Sequence, residues 1–144
     1  MTKTKTKSVQ KMVQPRRFMV VSDIHGAEQD AAAVRAALSF MRDFDPQIRI
    51  IAGDLWNFAA IRKGADEDER AQSLWTDFEA GKKFADNFFG ERAVNHLMLG
   101  NHDVRVWDLL DSIDGAKRDL AGVMEGDIKL LARKHKATLY PYDA

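Results

Sequence analysis

The amino-acid sequence predicts an α/β fold, a mostly parallel sheet flanked by helices, and two observations carry that expectation. After Pro15, a short apolar run, an abrupt glycine-containing polar turn and an amphipathic stretch follow one another three times, which is the rhythm of successive βα units. The 144 residues, 45% hydrophobic and 31% charged, suffice for one compact domain at roughly 100–200 residues per domain.

The first run, Phe18-Met19-Val20-Val21, is continuous and ends β-branched, which suits a strand covered on both faces. Over residues 27–44 the apolar positions Ala31, Val34, Leu38 and Met41 recur at helical spacing, and Asp45-Pro46 ends the helix. The second run, 48–52, holds Arg49 inside it. A charged patch over 66–70, expected as a solvated loop and helix start, leads into Leu74, Trp75, Phe78, Ala85, Phe88 and Phe89. At this spacing the aromatic stripe packs a helix on the sheet. The third run, 94–99, contains Asn95 and His96, and His96 lies ahead of its apolar end in a structural role. Helices are expected over 104–113 and 116–136, the second with Lys, Arg and His gathered at its C-terminal end, where they complement the helix dipole. A short strand over 138–140 closes the pattern. Trp56 and Phe58 are expected beneath the second turn and Trp107 in the core.

Charge is balanced overall, with 22 Lys plus Arg and 22 Asp plus Glu, but unevenly placed. Residues 1–17 hold Lys3, Lys5, Lys7, Lys11, Arg16 and Arg17 and no acid, leaving 16 basic against 22 acidic residues over 18–144. A basic tail lacking an apolar face is expected to be disordered, with a nucleic-acid arm as the other reading. Zero cysteines exclude disulfides, thiolate zinc sites, iron–sulfur clusters and cysteine nucleophiles. Without an apolar leader or an uncharged run near 18 residues, the chain is expected to be cytoplasmic, with no membrane partner.

Chemistry gathers where the apolar runs end. The exits are Asp23-Ile24-His25, Gly53-Asp54-Leu55-Trp56-Asn57 and Gly100-Asn101-His102-Asp103, each placing N or O ligands just after a strand. In open parallel sheets, ligands collect in the crevice beyond the carboxyl ends of the strands. Neighbouring strands lie about 4.8 Å apart, close enough for adjacent exits to serve two cations held roughly 3.5–4 Å from one another. If Asp23, His25, Asp54 and Asn101 line that crevice, imidazole with carboxylate suits Mn, Fe, Zn or Ni better than Ca. Two carboxylates against two divalent ions leave a positive site that draws in phosphate. His102 could protonate the leaving alkoxide, with Asp103 orienting its ring, and Gly26, Gly53 and Gly100 would let the backbone turn sharply. Asn57 either faces the site or caps a following helix. No Gly-x-Gly-x-x-Gly or Walker-type loop follows any strand, which weighs against a nucleotide-binding module.

These three segments, in order and roughly 30 and 47 residues apart, resemble the calcineurin-like metallophosphoesterase family. The resemblance spans Phe18 to Asp103. It implies that Asp23 and His25 bind a first metal, Asp54 bridges two, Asn101 binds the second, and His102 acts as acid or transition-state stabiliser. The implied fold is the βαβαβ half of an αββα sandwich. The implied activity is hydrolysis of a phosphomonoester or phosphodiester through hydroxide activated by two divalent metals.

Family members carry further histidines downstream, including a Gly-His-x-His segment. Here the one histidine after His102 is His135, in a basic helix end where a solvated capping role is expected. Residues 18–144 are therefore expected to form a partial domain lacking the C-terminal metal-ligand segment. An uncovered sheet face would then invite association. The alternative function is a non-catalytic binding or scaffold module, or an inactive fragment, that keeps the half-fold. A nucleic-acid arm predicts salt-dependent DNA binding that vanishes on deletion of residues 1–17.

Overall fold

The computed structural model describes residues 16–143; the tail reading, up to residue 15, lies outside the described residues. Four strands form one parallel sheet in sequence order: β1 (Phe18–Val21), β2 (Ile48–Ala52), β3 (Val94–Met98) and β4 (Thr138–Tyr140). Between them run α1 (Ala31–Phe44), α2 (Glu67–Ala71), α3 (Leu74–Phe88), α4 (Arg105–Leu110) and α5 (Gly115–Lys134). Parallel neighbours that follow one another in sequence, each joined by a right-handed crossover, put their connections on the same side of the sheet.

The side chains bear this out. Val21, Ile51, Leu97 and Leu139 share one register row, and all four belong to or pack on the core built with Phe78, Phe84 and Phe88 of α3 and Met124, Ile128 and Leu131 of α5. Each such large side chain, fully buried, contributes about 1.5–3 kcal/mol. The alternate residues face away from the helices, and Phe18 (60% exposed), Val20, Val94 and Met98 are open to solvent. The strand expected to be covered on both faces, β1, is instead covered on one. The reason is topological, because no described element crosses to the second face.

Local chemistry sets the helix ends. The first helix begins at Ala31 rather than 27, because the Asp30 carboxylate accepts from the amides of Ala32 and Ala33 and Gly26–Glu28 form a separate 3-10 turn. The acidic patch forms α2 through a reciprocal Asp66–Glu69 capping box. Ser73 and Asp114 cap α3 and α5. Among the described residues, no helix is long and apolar enough to cross a membrane.

Polar residues inside strands serve helix C-termini. Arg49 donates to the Phe88 carbonyl at 2.8 Å, and Asn95 Nδ2 donates to the carbonyls of Gly90 and His135, both at 2.9 Å. All of these contacts lie toward the amino ends of β2 and β3, leaving the carboxyl edge free for chemistry.

Trp56 lies against α3 at Gly81, where an added Cβ would stand 2.2 Å from the indole Nε1. Gly81→Ala is expected to destabilise the chain by about 1–3 kcal/mol. Gly126→Ala, in open space on α5, is expected to stabilise it by about 0.5–1 kcal/mol. Denaturant midpoints of the two variants test this; a neutral Gly81→Ala would contradict the packing.

Candidate metal centre

The three polar exits leave adjacent carboxyl ends, and backbone hydrogen bonds continue the sheet beyond its strands. The amide of Asp23 donates to Gly53 O (3.2 Å), that of His25 to Asp54 O (3.1 Å) and that of Gly26 to Leu55 O (3.0 Å). This zipper brings one ligand atom from each of Asp23, His25 and Asp54 within 4.8 Å of the others. All three residues have left-handed backbones, with φ of 55°, 57° and 53°, a conformation costing L-residues roughly 1–2 kcal/mol each. Strain held in one cluster marks a site whose surroundings over-determine it.

Two buried carboxylates do the holding. Asp77, on α3, accepts from the amides of Phe58 (2.8 Å), Ala27 (3.0 Å) and Asn57 (3.4 Å). Asp103 accepts from Gly100 (2.8 Å), Trp56 (2.9 Å) and Leu55 (3.4 Å). Four consecutive amides, 55 to 58, thus end on two carboxylates, fixing the second turn to the first and third. Burial pushes the Asp103 carboxyl up to about 6, against the pull of those three amides.

His102 donates its backbone amide to Asp54 Oδ1 at 2.9 Å, and its ring lies edge-on to that of His25, centroids 4.8 Å apart. Its Nδ1 is 2.9 Å from Asn57 Oδ1 and 3.2 Å from Asn57 O. Both are acceptors, so Nδ1 carries the proton and Nε2 keeps its lone pair. The ring is oriented by Asn57, and not by Asp103 as the sequence led us to expect, because the Asp103 carboxylate is turned inward onto backbone amides. Burial, and then the Arg105 cation, hold the His102 pKa below its ordinary value; Asp54 opposes them.

Asn101 sits exposed at the tip of the same turn, one residue from the amide anchored on Asp54. Gly100 is required for close approach rather than for a positive φ, since a Cβ there would stand 2.1 Å from Asp54 Oδ1. Trp56 and Phe58 are fully buried under the second turn, and Trp107 packs, partly buried, on the core. His96 faces the open side of the sheet, with Nδ1 3.0 Å from Tyr140 Oη. His135 ends α5 with Nε2 2.7 Å from Asp86 Oδ1. Its side chain is 14% exposed, so it is an anchored cap rather than a solvated one. It precedes the amino end of β4, at the opposite edge from the metal centre.

Sequence reasoning missed Asp77 and Arg105. Asp77 had a signal: an acid on the apolar face of an otherwise aromatic helix. Arg105, whose Nη1 donates to Asn57 O at 2.7 Å, had none.

Two carboxylates and an imidazole converging beyond the carboxyl ends of parallel strands form a candidate centre for a divalent transition metal. A model of the family described as calcineurin-like phosphoesterase matches residues 16–140, and the chain belongs to that family. No curated protein and no solved structure is similar enough to the chain to match.

Asp77→Ala leaves buried amides without an acceptor and is expected to cost about 1–3 kcal/mol or more, whereas Asp43→Ala, on the exposed side of α1, should stay within about 0.5 kcal/mol. Urea denaturation distinguishes them. The folded chain holds the His102 pKa below that of the unfolded chain, near 6.5. The unfolded state therefore binds the proton more tightly, and stability falls as pH drops below about 6.5. An NMR titration of the metal-free chain placing His102 above 6.5 would refute this.

Proposed function

We propose that the chain is a metal-dependent phosphoesterase in which Asp23, His25, Asp54 and Asn101 hold two divalent cations and His102 handles the proton on the leaving group of a phosphomonoester or phosphodiester. The observation that carries this reading is the convergence of Asp23, His25 and Asp54 within 4.8 Å in a chain matched to the phosphoesterase family over 16–140. The donor set fits Mn, Fe, Zn or Ni. Such cations, when bound, supply Lewis-acid polarisation of phosphoryl oxygens and activation of water.

The chain's own residues divide the remaining work. Asp54 uses Oδ1 to fix the turn that carries Asn101 and His102, while its carboxylate charge, with that of Asp23, offsets the cations without cancelling them. A site left positive attracts a phosphate. His102, neutral at pH 7 with its proton on Nδ1, presents a free Nε2 that can take up a proton. Its lowered pKa makes the protonated ring a ready donor to a departing alkoxide. Asn57 keeps the ring in that tautomer and Asp103 keeps Asn57's turn in place.

A second reading, a module that binds cations without turnover, is favoured by the position of His135. The one histidine that follows His102 is engaged with Asp86 at the far edge of the sheet. One experiment separates the two. Calorimetry with Mn is expected to show metal binding, and nitrophenol release from bis-nitrophenyl phosphate should require the metal and fall at least about 100-fold in Asp54→Ala. Metal binding with no turnover under Mn, Fe, Zn or Ni would select the module. Failure to bind any of them would end both readings.

A further inference from the structure

A groove of about 1020 Å³ opens between the segment around 60–65 and the face formed by α4 and the start of α5, and Arg105 of its lining links it to the metal centre through the Asn57 carbonyl. Its size is that of a small-molecule site. Cations dominate its lining, namely Arg62, Lys63, Arg70, Arg105 and Lys117, against the two carboxylates of Asp108 and Asp111. Over residues 18–144 acids outnumber bases, so the groove inverts the sign of the body that contains it.

The cations are not equivalent. Arg62 is engaged by the Glu69 carboxylate, and Arg70 is pinned to Ala65 O at 2.8 Å. Lys117, with its Nζ 3.9 Å from Asp114, and Lys63 are both exposed residues of the lining. Arg105 is the joint between groove and centre. It shares the Asn57 carbonyl with the His102 ring, and among the described residues no carboxylate stands within ion-pair distance of it. Burial and the neighbouring Arg62 hold its pKa down, while the charges of Asp54, Glu69 and Asp103 pull the other way.

Resting on the phosphoesterase reading, we propose that this groove receives the leaving group of the substrate and that this leaving group carries a phosphate of its own. Arg105 meets that second anion at the inner end, and Lys63 and Lys117 meet it toward the rim. Hydrolysis breaks the bond between the reacting phosphorus and the leaving oxygen. Water supplies the new P–O bond, and one of its protons ends on the leaving oxygen. Ile61, Leu109 and Ile113 give the groove an aliphatic wall, and among the described residues no aromatic lines it, so they offer a base no stacking platform. A compact bisphosphate fits better than a strand of nucleic acid.

The test compares fructose 6-phosphate, a leaving group that carries its own phosphate, with fructose, which lacks it. NMR titration of the metal-free full chain is expected to show at least about tenfold tighter binding of the sugar phosphate, with shifts at Arg105, Lys63 and Lys117. The preference should vanish in the double variant K63A/K117A and weaken in Arg105→Ala. Arg105→Lys, which keeps charge but loses the guanidinium fork, should restore part of it, and Lys83→Ala, on the exposed side of α3, should retain all of it. Equal affinity for the two sugars, or a preference untouched by K63A/K117A and Arg105→Ala, overturns the proposal. A chain that prefers the sugar phosphate yet hydrolyses no ester with Mn bound keeps the anion groove and refutes the phosphoesterase reading alone.

Discussion

The centre depends on one constraint: four successive backbone amides, Leu55 to Phe58, must end on two carboxylates that are themselves buried. Moving a carboxylate out of water costs several kcal/mol unless donors replace the solvent. Asp77 and Asp103 each find three amides. Neither acid is tolerable there without the turn, and the turn, with Asp54 and Phe58 at positive φ, would not hold its shape without the acids. Each carboxylate also reaches a second turn, Asp77 through Ala27 and Asp103 through Gly100. Asp23, His25, Asp54 and His102 are therefore positioned by groups that stand behind them and offer their atoms to no cation. The raised pKa of Asp103 records the cost of this arrangement, since desolvation there outweighs three amide donors.

The two edges of the sheet are chemically opposite, and the parallel topology makes them so. Strands running the same way put the C-terminus of each helix that feeds a strand near the amino edge, where the carbonyls of Phe88, Gly90 and His135 meet Arg49 and Asn95. They put every strand-to-helix turn at the carboxyl edge. Acids and imidazoles collect there without competing for the donors that cap the helices. Helices confined to one face leave the other, with Phe18, Val20, Val94 and Met98, bare in the described residues. A parallel sheet is ordinarily buried on both sides, and the apolar character of that face matches a surface selected for burial.

Much of the fold was legible because it is local. Apolar runs of four or five residues bounded by glycine-containing turns specify buried strands. The helix starts were read less closely, since the Asp30 cap that begins α1 at Ala31 rather than 27 reaches only two or three residues ahead and went unused. The polar strand exits were legible because Asp23 with His25, and Asn101 with His102, sit within a few residues of one another. Parallel pairing of the neighbouring strands then brings the exits together. The open face of the sheet was expected from the missing downstream segment and not from the strands, because a continuous apolar strand reads alike whether or not a second layer meets it.

The support beneath the site is another matter, and distance along the chain explains why. Asp77 meets Phe58 from 19 residues away, Asp103 meets Trp56 from 47, Asn57 meets the His102 ring from 45, and Arg105 meets Asn57 from 48. No window of local pattern spans such pairs. The expectation that Asp103 would orient His102 came from adjacency, yet successive residues in a tight turn point in different directions. The acid beside the histidine goes inward, and an amide from another turn takes its place. Asp77 alone was recoverable, because a charge on the buried face of an aromatic helix requires a partner, and the nearest amides able to supply one are those of a turn held out of regular structure. A carboxylate placed among large apolar side chains is thus a pointer to a strained loop elsewhere in the fold, and here that loop carries Asp54.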